Sequence, residues 1–162
     1  MVTITEAVFP THANAVRSLF REYAGALDFS LDFQGFYDEL ANLPGEYAPP
    51  GGCVLLAQAG PELAGCAALR PFGDDACEMK RLYVRPVFRT RGVGRQLAER
   101  IVTEARERGY PRMLLDTVPG MEAAISLYRA LGFREIQPYR PNPIAGALFF
   151  ELDLRATPAS AA

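Results

Sequence analysis

A chain of 162 residues that is 49% apolar has the size of one domain with one substantial core, and leaves little room for two full domains. Its 17 Lys+Arg against 19 Asp+Glu give a formal charge of −2, with no basic surplus to neutralise a nucleic-acid backbone. Met1–Pro10 shows no charged segment leading into an apolar run, and no apolar stretch nears the ~20 residues that span a bilayer, so the reading is a cytoplasmic protein without nucleic-acid or membrane partners.

In chain order, Val2–Val8 alternates loosely as a first strand. His12–Leu27 follows as a helix, with Ala15, Val16, Leu19, Phe20 and Tyr23 on one face. A short helix is expected at about Phe33–Leu40, then a loop through Pro44-Gly45 to Gly51-Gly52. Cys53–Ala59, Leu63–Leu69 and Cys77–Val84 read as a meander of three strands, turned at Gly60-Pro61 and Gly73-Asp74-Asp75. Val93, Leu97, Ile101 and Ala105 recur every four residues and predict the longest helix, with Gly109 just past its end. Met113–Val118 is a strand, Gly120–Leu131 a helix ended by Gly132, and Leu148–Leu154 a last alternating strand after Pro138, Pro141 and Pro143. The pattern is that of a mixed α/β sheet flanked by helices, one domain over residues 1–154, with a small, polar, disordered tail over 155–162.

Cys53, Cys66 and Cys77 are odd in number and sit in apolar runs without C-x-x-C spacing, so they read as core thiols. His12 is the only histidine and opens a helix. That gives no support to a nucleophile–histidine triad, and no ligands group for a metal.

The segment joining the third meander strand to the long helix, Arg85-Pro86-Val87-Phe88-Arg89-Thr90-Arg91-Gly92-Val93-Gly94-Arg95, has an unusual charge pattern. A helix N-terminus carries about half a positive charge and unpaired N–H groups, so each nearby arginine costs roughly 0.3–1 kcal/mol unless an anion binds there. Gly92 and Gly94 allow backbone N–H groups to approach a phosphate closely. The spacing is neither that of a Walker loop nor that of a Rossmann loop, since Leu97 stands where the third Rossmann glycine belongs.

Arg89-x-x-Gly92-x-Gly94 after Leu82-Tyr83-Val84-Arg85-Pro86 resembles the pyrophosphate loop of the GNAT family of N-acetyltransferases. Asp116-Thr117-Val118, and Ala123 through Tyr128-Arg129-Ala130-Leu131-Gly132-Phe133, resemble the family's later motif. The matching segments cover about Cys77–Tyr139. The resemblance implies a twisted mixed sheet of six to seven strands with acetyl-CoA between the fourth and fifth. It implies contacts from the backbone of Leu82, Tyr83 and Val84 to the pantetheine arm, one N–H there serving the developing oxyanion. The pyrophosphate would lie on the amides of Thr90, Arg91, Gly92, Val93, Gly94 and Arg95, with Arg89 and Arg91 adding charge. Met121 departs from the family pattern, where an asparagine often touches the cofactor.

Acetyl transfer to an amine needs a neutral amine, a polarised carbonyl and a proton for the departing thiolate. Tyr128 matches the tyrosine that acts as general acid in many relatives, although it also shares an apolar face with Met121, Ala124 and Leu131. Glu78 matches the position of a catalytic glutamate in some relatives. Period-two alternation puts it on one face with Lys80, Leu82 and Val84. Pairing with Lys80, Arg81 or Arg112 is the alternative role, and a water relay is the alternative base. The family builds its acceptor pocket from the first two helices, and Glu22, Asp28, Asp32, Asp38, Glu39 and Glu46 with no Lys or Arg between them would suit a cationic amine. Phe29, Phe33, Phe36 and Tyr37 are candidates for pocket wall or core. The leading function is direct acetyl transfer to a primary amine of a small molecule or peptide. An acyl-CoA-binding sensor or a degenerate relative that binds without turnover is the alternative, and a scaffold role is a third. An edge strand near the C-terminus makes a homodimer an expectation.

Overall fold

A computed structural model describes residues 1–155, the side chain of Phe33 excepted. Of the expected tail, everything beyond Arg155 lies outside the described residues. Seven strands form one sheet: β1 (Val2–Glu6), β2 (Cys53–Ala59), β3 (Glu62–Phe72), β4 (Ala76–Val84), β5 (Arg112–Thr117), β6 (Arg134–Ile136) and β7 (Leu148–Asp153). Their order is β1-β2-β3-β4-β5-β7-β6. All neighbours are antiparallel except β4 and β5.

The helices are α1 (Ala13–Gly25), α2 (Phe36–Ala41), α3 (Val93–Glu107) and α4 (Glu122–Ala130). They divide between the two faces of the sheet because each buries one apolar stripe. Val93, Leu97, Ala98, Ile101, Val102 and Ala105 of α3, with Tyr128 of α4, pack on Leu55, Leu69, Met79, Met113 and Phe150. On the other face Val16, Leu19 and Phe20 of α1 and Phe36 and Leu40 of α2 cover Val54, Leu56, Cys66, Ala68 and Tyr83. With helices on both sides, β2 is apolar throughout Cys53–Ala57, and every one of those residues is buried. All three cysteines are buried and free.

The second helix begins later than the sequence predicts. A single 3-10 turn over Asp32–Gln34 ends at Gly35 in the left-handed region (φ 68°), and α2 starts only after it. Strand β6 is an addition to the sequence reading: three residues between Phe133 and Pro138 pair with Glu151, Phe150 and Phe149 of β7. Among the described residues no helix is long and apolar enough to cross a membrane.

Candidate active site

The site begins with an irregularity in β4. Cys66 of β3 pairs with Tyr83, but Ala68 pairs with Lys80, so Arg81 and Leu82 together oppose the single residue Ala67. This is a β-bulge, and Arg81 adopts φ 61° within it. A non-glycine residue in that region costs about 1–2 kcal/mol. The Arg81 guanidinium offsets this with a bidentate pair to Glu39 of α2 (Nε–Oε2 3.0 Å, Nη2–Oε1 2.9 Å) and a position 5.1 Å from the Phe36 ring centre.

Two consequences follow from the bulge. It turns β4 away from β5: the parallel ladder runs from Ala76↔Arg112 to Glu78↔Leu114 and stops, while β5 stays paired with β7 through Thr117↔Leu148. The edge of β4 from Met79 to Val84 is left without a strand partner on the β5 side. The bulge also resets the alternation. Glu78, Lys80 and Arg81 face α1 and α2, whereas Leu82 and Val84 pack with the α3 and α4 core. The expected common face of Glu78, Lys80, Leu82 and Val84 is therefore corrected to Glu78 and Lys80 alone.

A groove of about 1230 Å³, counted with its open solvent side, runs along this free edge. Leu82, Tyr83, Val84, Arg89 and Gly94 line one wall, and Gly120 to Ala124 with Leu127 line the other. At its end, α3 starts at Val93 after Gly92, whose φ of 77° is glycine territory, and no side chain caps its first turn. The first backbone bond into this turn comes from Gln96 N–H to Gly92 O. The preceding N–H groups of the turn are thus open donors for an anion. Thr90, Arg91, Gly92 and Arg95 are exposed around them; Val93 is buried and offers only its backbone. Arg89 Nε donates to Val84 O at 2.9 Å and its guanidinium lies 5.9 Å from the Tyr83 ring centre, which holds its charge beside the groove. Gly94 is floor: a methyl group there would meet only Val84 Cγ2, at 3.6 Å, and would otherwise project into open space. A diphosphate with a long neutral arm fits these features.

A second cavity, about 630 Å³ counted with its open solvent side, lies on the α1–α2 side of the splay. Tyr23, Leu27, Leu82 and Met121 border both spaces, so the two adjoin. The cavity wall carries Tyr128, 7% exposed. The Tyr128 hydroxyl makes no hydrogen bond to any described residue, and burial pushes its pKa up, with smaller contributions from Tyr23 and Asp116. The polar lining comprises Gln34, Lys80, Arg81, Asp116, Thr117 and Asn142. Asp116 is the one carboxylate among the lining residues, and Asn142 Nδ2 donates to its Oδ2 at 3.1 Å.

Glu78 sits elsewhere, at the closed end of the splay, and borders neither space. It is fully buried. Its Oε1 accepts from Arg70 Nε (2.9 Å) and Arg140 Nη2 (2.6 Å), and its Oε2 from the Tyr139 hydroxyl (2.6 Å). Burial alone would raise its pKa. The charges of Lys80, Arg70 and Arg140 and the Tyr139 hydrogen bond outweigh that and lower it. Tyr128 thus lines the cavity that adjoins the groove at Leu82, while Glu78 lies apart from both, holding the β6–β7 connection in place. His12 accepts the Val8 N–H on Nδ1 at 2.8 Å, remote from both cavities.

The expected acidic pocket is also corrected, because none of the six acids between Glu22 and Glu46 lines the cavity. Glu22, Glu39 and Glu46 are spent on Arg85, Arg81 and Arg70, and Asp28, Asp32 and Asp38 are exposed. Phe29 lines the cavity, Phe36 is core, and Tyr37 is exposed. Residues that sequence reasoning missed are Tyr23, Gln34, Lys80, Arg81, Asp116 and Asn142. Lys80 and Asp116 carried a usable signal, charge inside otherwise apolar strands; Gln34 and Asn142 carried none.

The profile of the "Acetyltransferase (GNAT) family" matches residues 13–133. An uncharacterized N-acetyltransferase of Schizosaccharomyces pombe is 37% identical over 155 residues, covering 94% of this chain and 95% of that protein. Among solved structures, a GNAT family acetyltransferase from Staphylococcus aureus superposes with a TM-score of 0.76 at 20% identity, over 95% of this chain and 99% of that one. A GNAT family acetyltransferase from Elizabethkingia anophelis with acetyl-CoA bound gives 0.66 at 19% identity, over 94% and 97%.

Proposed function

The chain belongs to the GNAT family of acetyltransferases, and on that premise we propose that it moves acetyl from acetyl-CoA directly to a primary amine of a small molecule or peptide. The observation that carries this reading is that the groove and the second cavity adjoin at the free edge of β4, sharing Leu82 and Met121, with the Tyr128 side chain lining the cavity. Acetyl-CoA supplies, when bound, an activated thioester that an amine can attack.

The chain's own residues then have separable tasks. The open N–H groups at the start of α3, with Arg89 and Arg91, hold the diphosphate. The unpaired edge of β4 between Leu82 and Val84 offers backbone donors to the arm and to the carbonyl oxygen, in a groove where fixed dipoles count for more than in water. Tyr128 Oη holds the proton that the departing sulfur needs. An ordinary phenol near pKa ~10 is a modestly weaker acid than a thiol near ~8.5. Burial weakens it further, but the same burial makes a thiolate formed beside it more basic, so the mismatch stays small. Asp116, the carboxylate among the cavity's lining residues, draws the acceptor ammonium in, and a water relay carries one of its protons away so that the neutral amine attacks. Glu78 is fully buried, paired with two arginines and a tyrosine, and borders neither space, so it is not placed to take the acceptor's proton; its task is to hold the cavity wall.

Calorimetric titration with acetyl-CoA, followed by thiol release over a panel of amines, tests the reading. Micromolar binding and turnover with at least one amine are expected. Absence of binding to folded protein rejects it, and binding without any turnover leaves the sensor role instead.

A further inference from the structure

Lys80 is the only lysine in the 162-residue chain, beside sixteen arginines. It is 6% exposed and lines the acceptor cavity. Its ammonium has three N–H donors. One reaches Gln34 Oε1 at 3.0 Å, and that oxygen is shared with Arg81 Nη1 at 2.8 Å. Among the described residues no carboxylate lies within ion-pairing distance of Lys80, on which the Glu78 charge acts only from farther away, whereas the other buried cation of the cavity, Arg81, is matched to Glu39. The Glu78 carboxylate, two residues away on the same face, is committed to Arg70 and Arg140.

A buried ammonium with one neutral partner is expensive to maintain unless something else meets it. The free donors belong to a cavity that also holds Asp116, the carboxylate suited to an ammonium. We propose that the acceptor is an amine bearing its own carboxylate, with that carboxylate on Lys80 and the amino group toward Asp116. The inference rests on the acetyl-transfer reading and adds the acceptor class to it. Free α-amino acids and peptides with an acidic first residue share this chemistry. The shift of Lys80 supports the assignment: burial lowers its pKa to about 8 despite the opposing charge of Glu78, and a bound carboxylate would reverse that.

The single lysine makes the test direct. Protein carrying 13Cε-lysine gives one lysine resonance, which is titrated with pH in the presence of CoA and either N-acetyl amino acids or their carboxamides. The acids are expected to raise the midpoint by at least about one pH unit and the amides to leave it in place; equal behaviour of the two sets overturns the proposal. In parallel, thiol release is compared for amino acids, their amides, and tripeptides beginning with Asp or Glu. At least a tenfold preference in kcat/KM for a carboxylate-bearing acceptor is expected, falling to near unity in Lys80→Gln through KM. Preference for free amino acids or for the tripeptides identifies the source of the carboxylate. Acetylation of amides as fast as acids, or a preference that survives in Lys80→Gln, refutes it. Turnover with no amine at all defeats the acetyl-transfer reading, while the resonance titration still decides what Lys80 binds.

Discussion

Glu78 and Lys80 leave β4 on the same face two residues apart, yet the carboxylate is closed off by Arg70, Arg140 and Tyr139 while the ammonium lines a cavity with Gln34 as its one hydrogen-bond partner among the described residues. The bulge at Arg81 separates their fates, because the strand leaves β5 just beyond Glu78. Glu78 closes the end of the splay, whereas Lys80 and Arg81 line the cavity.

Tyr128→Phe removes one oxygen from a side chain that is otherwise packed against Phe133 and Phe150. Acetyl-CoA affinity by calorimetry is expected to be unchanged and kcat to fall at least about tenfold, the usual floor for losing a general acid. Unaltered kcat would assign Tyr128 to packing alone.

Glu78→Gln leaves Arg140 without a counter-charge and Arg70 with only its solvent-exposed pair to Glu46. A loss of about 3 kcal/mol at neutral pH is expected in urea unfolding. The folded-state pKa of Glu78 lies below its ordinary value, so its contribution is present above about pH 4.3 and disappears as the pH falls through that value toward the folded pKa. The gap between variant and wild type should therefore narrow in acid. The acidic limb of the pH–rate profile should be the same in both proteins, as a group that moves no proton requires.

Lys80, charged below about pH 8, faces Glu78 and Arg81 on its own strand, Arg70 on β3, Asp116 on β5 and Gln34 ahead of α2. Product inhibition by an N-acetyl amino acid, which has no amine to titrate, isolates its effect. The inhibition constant should be flat below pH 7 and rise above pH 8 by up to tenfold per unit, because only the ammonium binds the carboxylate. The constant for the corresponding carboxamide should not follow that rise.

Gly92→Glu places a carboxylate at the uncapped start of α3 and forces a side chain into φ 77°. Acetyl-CoA affinity is expected to drop at least about tenfold by calorimetry. Gly92→Ala should lose stability by roughly 1 kcal/mol and keep much of the affinity. Equal binding by Gly92→Glu would move the diphosphate away from this helix end.

Most of the architecture was legible in local pattern. Cys53–Ala59 is β2 to the residue, since a short apolar run bounded by Gly52 and Gly60 has few alternatives. The four-residue recurrence from Val93 to Ala105 produced α3, and the arginine-flanked glycines pointed to an anion site that the open turn at Val93 can hold. Strand β6 was not legible: three residues carry no period, and they become a strand only because β7 offers an edge.

The sequence by itself determined most strands and helices, the arginine-flanked glycine loop and the candidate Tyr128, because those depend on spacing within one element. Tertiary structure alone decided the bulge at Arg81, the seclusion of Glu78 from both cavities, the neutralisation of Glu22, Glu39 and Glu46, and the place of Lys80 in the second cavity's wall. Each of these depends on which charge meets which across strands and helices far apart in the chain. A carboxylate and a guanidinium 24, 42 or 63 residues apart cannot be matched until the backbone brings them within a few ångströms.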